Sequence, residues 1–226
     1  MTTQIVLVPG FWLGAWAWDD VAPLLADRGY VVTALTLPGL EPDDSGRGDV
    51  TLDDHAEAIA AALDRGADRR VLVVHSGAAL PGTMVLDRHP GLVDHVVFVD
   101  TAPVRDGFAM NAELQEREFP LSAAWDSEMA GGSMRDLTDE QLSTFRERAV
   151  PQPGHTVSDP VVLSDPARLA VPALSSALLS RARSIAPMLN RGWDFSPDCW
   201  ITPRSFSSFC RRVTGRCGRG RSNSPS

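Results

Sequence analysis

The run Val71–Val74 leads into a serine, and that order of residues suits nucleophilic chemistry. Four apolar residues of this kind favour a buried strand, and the segment that follows Ser76 favours a helix. A serine at a sharp strand-to-helix turn projects its hydroxyl from the sheet, and the helix N-terminus directs N–H groups at the reacting atoms. Ala78 is small enough for such a bend, whereas Val74 stands where glycine is usual and crowds it. The alternative is a helix N-cap serine without catalytic function.

A second segment supplies what acyl transfer needs besides a nucleophile. Val6–Val8 predicts a short strand, Pro9-Gly10 ends it, and a glycine-spaced aromatic loop from Phe11 to Trp18 follows. Two preorganised donors are required for the developing oxyanion. The N–H of Gly77, directly after the serine, is predicted to be one donor, and the N–H of Phe11 the other.

With these two motifs the chain resembles the α/β-hydrolase superfamily, in particular its small esterase-like members with an aromatic-rich oxyanion loop. The resemblance covers about residues 4 to 172, and Pro9-Gly10 stands where His-Gly is commoner. It implies an α/β-hydrolase fold: a mainly parallel sheet flanked by helices, with a helical lid and, in this chain, an incomplete C-terminal part. It also implies hydrolysis of a carboxylic ester or similar small acyl substrate, with no cofactor and no metal.

The pattern along the chain alternates strands and helices, which is typical of a parallel sheet. Three regions are predicted: a core with the serine turn at 1–103, a helical lid at 104–168, and a core remnant with an irregular basic tail at 169–226. Strands are expected at about 4–8, 31–36, 70–75 and 95–100, and helices at about 19–28, 52–65 and 78–88. His55, on the second of these helices, is predicted to be a surface residue.

The lid is predicted to contain two short helices, around Asn111–Glu118 and Thr138–Ala149. Its methionine and aromatic side chains suit an adaptable apolar pocket for an acyl or alcohol group. The alternative is a small helical subdomain with a minor core of its own.

Composition places the chain among single-domain globular proteins and bounds its partners. No run is long enough to span a membrane and the N-terminus has no secretory pattern, so a cytoplasmic protein is expected. Residues 1–172 carry 12 arginines and 27 acidic residues, which argues against a nucleic-acid partner. The resemblance implies a small-molecule ester as the partner instead. The three cysteines have no metal-ligand spacing. The oligomeric state is left open.

The catalytic acid and base are less clear in the sequence than the nucleophile. Asp100 ends an apolar strand and directly precedes the lid, so it is the predicted acid; capping of the next turn is the alternative. The histidine should follow the acid along the chain. Only His155 does so, and it belongs to the predicted lid, which makes it the fallback base in a chain that otherwise lacks one.

The segment from about residue 173 reverses the charge, with nine arginines and two aspartates, and contains no recognisable final helix. A natural basic tail is one explanation. The other is a shifted reading frame, because the codons of Thr214–Arg221, read one base earlier, permit His-Trp-Pro, which resembles the histidine loop of these hydrolases. The same offset turns Ala173–Arg181 into a plausible buried strand.

Three functions are consistent with the sequence. The first is a serine hydrolase impaired by loss of its histidine. The second is a hydroxynitrile-lyase-like enzyme, in which Ser76 forms part of a proton relay. The third is a non-catalytic ligand-binding or vestigial protein, which Val74 and the missing histidine favour.

Overall fold

Strands and helices alternate along the part of the chain that the structure describes, residues 1–63 and 66–176 of a computed structural model. Within these residues there are seven strands: β1 Thr3–Val8, β2 Val31–Ala34, β3 Arg69–His75, β4 His95–Val99, β5 Glu118–Phe119, β6 Gln152–Pro153 and β7 Ala173–Ser176. The α-helices of the same residues are α1 Ala22–Ala26, α2 Leu52–Leu63, α3 Ala79–Arg88, α4 Leu121–Gly131, α5 Asp139–Arg148 and α6 His155–Ser158.

Five of the strands form one parallel sheet in the order β2-β1-β3-β4-β7. Alternate residues of β3 point to opposite faces of the sheet. Val71 and Val73 pack with Leu25 of α1, whereas Leu72 and Val74 pack with residues of α2 and α3. A parallel sheet covered on both faces has continuously apolar strands, which is why its strands are visible in the sequence. The predicted parallel sheet flanked by helices is confirmed.

The strand β7 lies within residues 169–226, where a core remnant followed by a basic tail is predicted. Ala173–Ser176 pairs with β4, with Leu174 opposite Val97, and the Ser175 hydroxyl donates to the carbonyl of Thr101 at 2.9 Å. The sheet therefore includes the first four residues of the segment in which the charge reverses. The predicted basic tail and its shifted frame beyond residue 176 lie outside the described residues.

The helix expected at about 19–28 is shorter than predicted and follows a separate turn. A 3-10 turn at Ala15–Trp18 precedes the short helix α1, and Gly29, with φ +85°, ends the connection before β2. None of the helices within residues 1–63 and 66–176 is long and apolar enough to cross a membrane.

The segment between β4 and β7, called the insertion below, corresponds to the predicted lid. Its first predicted helix, Asn111–Glu118, is wrong: the Asn111 side chain accepts from the N–H of Glu113 at 3.2 Å, which closes a local turn instead of a helix. Helix α4 begins later, at Leu121, and ends at Gly131, followed by the cap residue Gly132 with φ +79°. The second predicted helix, Thr138–Ala149, is confirmed as α5.

His55 lies inside the protein, which corrects the expectation of a surface residue. Its side chain is 2% exposed and its Nε2 is 2.9 Å from the carbonyl oxygen of Pro38. Burial lowers the pKa of His55 to about 4, although the Pro38 carbonyl and the charge of Asp54 favour protonation. The signal was present in the sequence: Ile59 and Leu63 follow at helical spacing and share its buried face.

Protonation of His55 is expected to destabilise the fold. Its pKa is near 6.5 when the chain is unfolded and about 4 when folded, so the unfolded chain binds more protons between these values. The stabilisation is complete above pH 6.5 and is lost as the pH falls towards 4, by about 3 kcal/mol. Urea unfolding at about pH 7.5 and about pH 4.5 measures this loss of free energy. His55→Gln, which keeps an N–H for Pro38, should lose less; an equal loss in the two proteins would contradict the assignment.

Candidate active site

Ser76 lies at the carboxyl end of β3, at the bend that leads into α3. It opens a single 3-10 turn, Ser76–Ala78, and α3 follows at Ala79. Its φ of +50° is rare for an L-residue other than asparagine or aspartate. The first N–H groups of the turn have no intrahelical acceptor, so they are available at the edge of the sheet. The backbone therefore has the predicted strand-turn-helix geometry.

Val74, the residue that the sequence analysis identified as crowding the bend, is accommodated by a glycine on the opposite side. The Val74 side chain is fully buried, and a Cβ on Gly82 would lie 2.7 Å from its Cγ1. A helix residue without a side chain thus gives α3 the close approach to β3 that a glycine before the serine would otherwise allow. The compensating residue stands eight positions away, and only the contact reveals it.

The loop after β1 lies directly against the serine turn. A Cβ on Gly10 would lie 2.9 Å from the Cβ of Ser76 and 3.0 Å from the Nδ1 of His75. The ring of Phe11 covers Gly77, because a Cβ there would lie 2.5 Å from two of its carbon atoms. Glycine at both positions is required for this contact between loop and turn.

The residues that carry the two predicted oxyanion donors, Phe11 and Gly77, are in contact here. The loop forms a turn closed by the N–H of Leu13 and the carbonyl of Gly10 at 3.3 Å, and the N–H of Phe11 donates to none of the described residues. The N–H of Gly77 belongs to the first turn of the helix and has no intrahelical acceptor. The structure thus brings together the three residues predicted to act in acyl transfer, Ser76, Phe11 and Gly77, and the roles of the two N–H groups stay predictions.

Asp100 lies at the same edge of the sheet, one strand further along. It follows β4, has φ +50°, and its side chain is exposed. Its carboxylate makes no hydrogen bond with a described residue, and its charge acts on His75, at the end of the neighbouring strand. The position suits an acid near the serine, and the acid role of Asp100 stays a prediction.

All five histidines of the chain lie within the described residues, and none hydrogen-bonds to the Ser76 hydroxyl. His75 packs edge-on against Trp18, with ring centroids 6.4 Å apart, and burial lowers its pKa while the charge of Asp100 opposes that shift. The fallback base, His155, is exposed and pairs with Asp159 at 3.2 Å. His89 and His95 are exposed as well.

A small cavity lies behind the two predicted oxyanion donors. Its volume is about 10 Å³, close to the minimum for one water molecule. Phe11, Gly77, His55 and Gln152 contribute to its wall. A larger groove of about 490 Å³ lies on the insertion between α4 and α5, where the guanidinium of Arg146 stacks on Trp125 at 3.8 Å. The described residues contain no cluster of side chains suited to hold a metal ion.

The order of strands, the serine turn and the facing loop now allow comparison with known proteins. The sequence model of the alpha/beta hydrolase family matches residues 5–212. The chain belongs to the alpha/beta hydrolase family. The family match extends beyond residue 173, where the sequence pattern changes, and the shifted reading frame stays a prediction.

Several plant relatives within this hydrolase family are similar to the chain. Methylesterase 9 of Arabidopsis thaliana is 35% identical over 97 residues, which cover 42% of this chain and 38% of that protein. Esterase PIR7B of Oryza sativa subsp. japonica is 33% identical over 134 residues, or 56% and 50% of the two proteins. The chain thus spans half or less of the length of these curated relatives.

The fold of the hydrolase family is also seen in a solved structure of similar size. The crystal structure of the Arabidopsis methylesterase MES16 superimposes with a TM-score of 0.71, covering 95% of this chain and 99% of that protein at 15% identity. At that identity the likeness shows the fold alone.

Proposed function

We propose that this alpha/beta hydrolase cleaves small carboxylic esters through an acyl-enzyme on Ser76. The observation that carries the proposal is the strained Ser76 backbone at the strand–helix bend, with the loop of Gly10 and Phe11 packed directly against Ser76 and Gly77. The Ser76 oxygen attacks the carbonyl carbon, the two N–H groups stabilise the oxyanion, and the alcohol leaves. Water then attacks the acyl group and releases the acid.

The substrate class follows from the chemistry of the site and from the relatives. Backbone N–H donors recognise any carbonyl oxygen and carry no specificity of their own, so the alcohol and acyl groups are selected elsewhere. Because some of the relatives are named methylesterases, we infer that the ester has a small alcohol group. We assign the insertion the role of a lid over this site, and the acidic residues 1–172 argue against nucleic acid as a partner. A cytoplasmic location stays a prediction.

The site has no histidine positioned to accept the Ser76 proton. Because none of the five histidines hydrogen-bonds to Ser76, the serine has no positioned histidine base and turnover should be slow. The same observation favours the second candidate, a family member that binds ligands without turnover. A soluble base can distinguish the two, since it can remove the Ser76 proton only if the nucleophile and oxyanion donors are otherwise in place.

Added imidazole is therefore expected to accelerate hydrolysis of p-nitrophenyl acetate by the chain, beyond the rate of imidazole without protein. The increase should grow with the concentration of neutral imidazole. The absorbance of released p-nitrophenolate measures it. A protein that adds nothing to the imidazole rate would favour the non-catalytic alternative, and cleavage of a cyanohydrin without ester turnover would favour a lyase.

A further inference from the structure

Trp12 adopts a backbone conformation that large residues rarely show. It is the third residue of the Gly10–Leu13 turn and has a φ of +66°. A left-handed conformation is unfavourable for a residue with a side chain, and it persists only where the surroundings enforce it. The turn that carries the Phe11 N–H therefore depends on contacts from outside itself.

Those contacts all come from the insertion. The N–H of Trp12 donates to the Oε1 of Gln152 at 3.1 Å, and its carbonyl accepts from the N–H of Val150 at 3.0 Å. The indole N–H donates to the carbonyl of Phe119 at 2.8 Å, and the two rings lie 5.5 Å apart. Phe119 and Gln152 are themselves partners in the β5–β6 pair.

The bond to Gln152 determines which way the peptide between Phe11 and Trp12 faces. If that peptide rotated to give Trp12 an ordinary negative φ, the carbonyl of Phe11 would replace the N–H of Trp12 opposite the Gln152 oxygen. Two acceptors would then face each other in a buried site, which is unfavourable. The glutamine oxygen thus favours the strained turn over the relaxed one.

Gln152 is held so that its oxygen, and not its nitrogen, faces the loop. The side chain is 1% exposed, and its Nε2 donates to the Thr156 hydroxyl oxygen at 2.7 Å. The Thr156 hydroxyl donates in turn to the carbonyl of Pro153 at 2.7 Å, so it acts as acceptor towards Gln152. Each buried polar group in this chain of bonds has a partner of the required type.

We propose that Gln152 is a positioning residue that keeps the oxyanion turn in its active shape. It touches no reacting atom; it acts through Trp12 on the turn that carries the Phe11 N–H and packs the Phe11 ring against Gly77. The proposal rests on the proposed function for its effect on rate, while its effect on the turn can be measured independently.

The test compares Gln152→Met, which removes the acceptor at similar length, with Val157→Ala. Val157 is 1% exposed in the neighbouring helix α6, so its truncation destabilises the same segment without touching Trp12. In Gln152→Met the Trp12 amide should exchange with deuterium about tenfold faster than in Val157→Ala, as measured by NMR. The limiting rate of Ser76 phosphonylation by a fluorophosphonate should fall about tenfold, with the probe concentration at half-maximal rate unchanged.

Equal exchange of the Trp12 amide in the two variants would overturn the proposal, since the loss would then be one of general stability. Phosphonylation is measured with imidazole present; if the unmutated protein then fails to react with the fluorophosphonate, the proposed function is wrong and the exchange data alone decide the role of Gln152. If exchange accelerates in Gln152→Met but phosphonylation does not slow, Gln152 shapes the turn without serving the reaction, which also overturns the proposal.

Discussion

Ser76→Ala is expected to abolish imidazole-stimulated ester hydrolysis while the protein stays folded. The hydroxyl oxygen is the only atom of the proposed reaction that the substitution removes, and the Phe11 and Gly77 N–H groups remain in place. The stimulated rate should fall by about a hundredfold or more, to that of imidazole without protein. Release of p-nitrophenolate measures the rate, and circular dichroism establishes that the fold is retained. A variant that keeps most of the stimulated rate would exclude Ser76 as the nucleophile.

Replacing Ser76 by glycine distinguishes the loss of the hydroxyl group, which lowers activity, from the relief of backbone strain, which raises stability. Ser76→Gly should be as inactive as the alanine variant but more stable by about 1 kcal/mol, because glycine tolerates a φ of +50°. Ser127→Gly is the matched control, since Ser127 lies within helix α4, where the same change should destabilise by about 0.5 kcal/mol. Urea unfolding measures both. Destabilisation of both proteins would contradict the strained geometry at Ser76.

Gly10→Ala is expected to reduce activity nearly as much as loss of the serine. The added methyl would lie 2.9 Å from the Cβ of Ser76 and 3.0 Å from the Nδ1 of His75, closer than carbon atoms in proteins approach. The loop must then move away from the serine turn and take the Phe11 N–H with it. Loss of one oxyanion donor lowers turnover by about a hundredfold or more. The imidazole-stimulated rate is again the measurement.

Gly91→Ala provides the control for the Gly10 substitution. A Cβ at Gly91 would meet no atom within 4 Å, so this variant should keep the rate of the unmodified protein. If Gly10→Ala also kept that rate, the loop would not contribute a donor to the site, and the oxyanion hole would have to be sought elsewhere.

The sequence predicted the parts of the site that repeat along a strand or follow directly from it. Val71–Val74 is apolar throughout because both faces of the sheet are covered, and Ser76 stands where that run ends. The contact between Phe11 and Gly77 followed from two separate motifs that parallel strands bring to one edge.

The parts that the sequence did not predict depend on contacts between distant residues. Gly82 leaves room for the Val74 side chain at the strand–helix interface. Gln152 accepts a hydrogen bond from Trp12, which lies 140 positions earlier in the chain. Neither pairing has a local pattern. The helix expected at Asn111–Glu118 failed for a different reason, because a side-chain hydrogen bond of Asn111 competes with helix formation. His55 could have been found, since its helical spacing from Ile59 matched the buried face.

The central claim, that Ser76 is the nucleophile of a preformed acyl-transfer site, is tested most directly by mass spectrometry of the fluorophosphonate-treated protein. In the presence of imidazole we expect one adduct per chain, on the peptide that contains Ser76, and none after heat denaturation. Adducts spread over several serines, or equal labelling of the native and denatured protein, would contradict the claim.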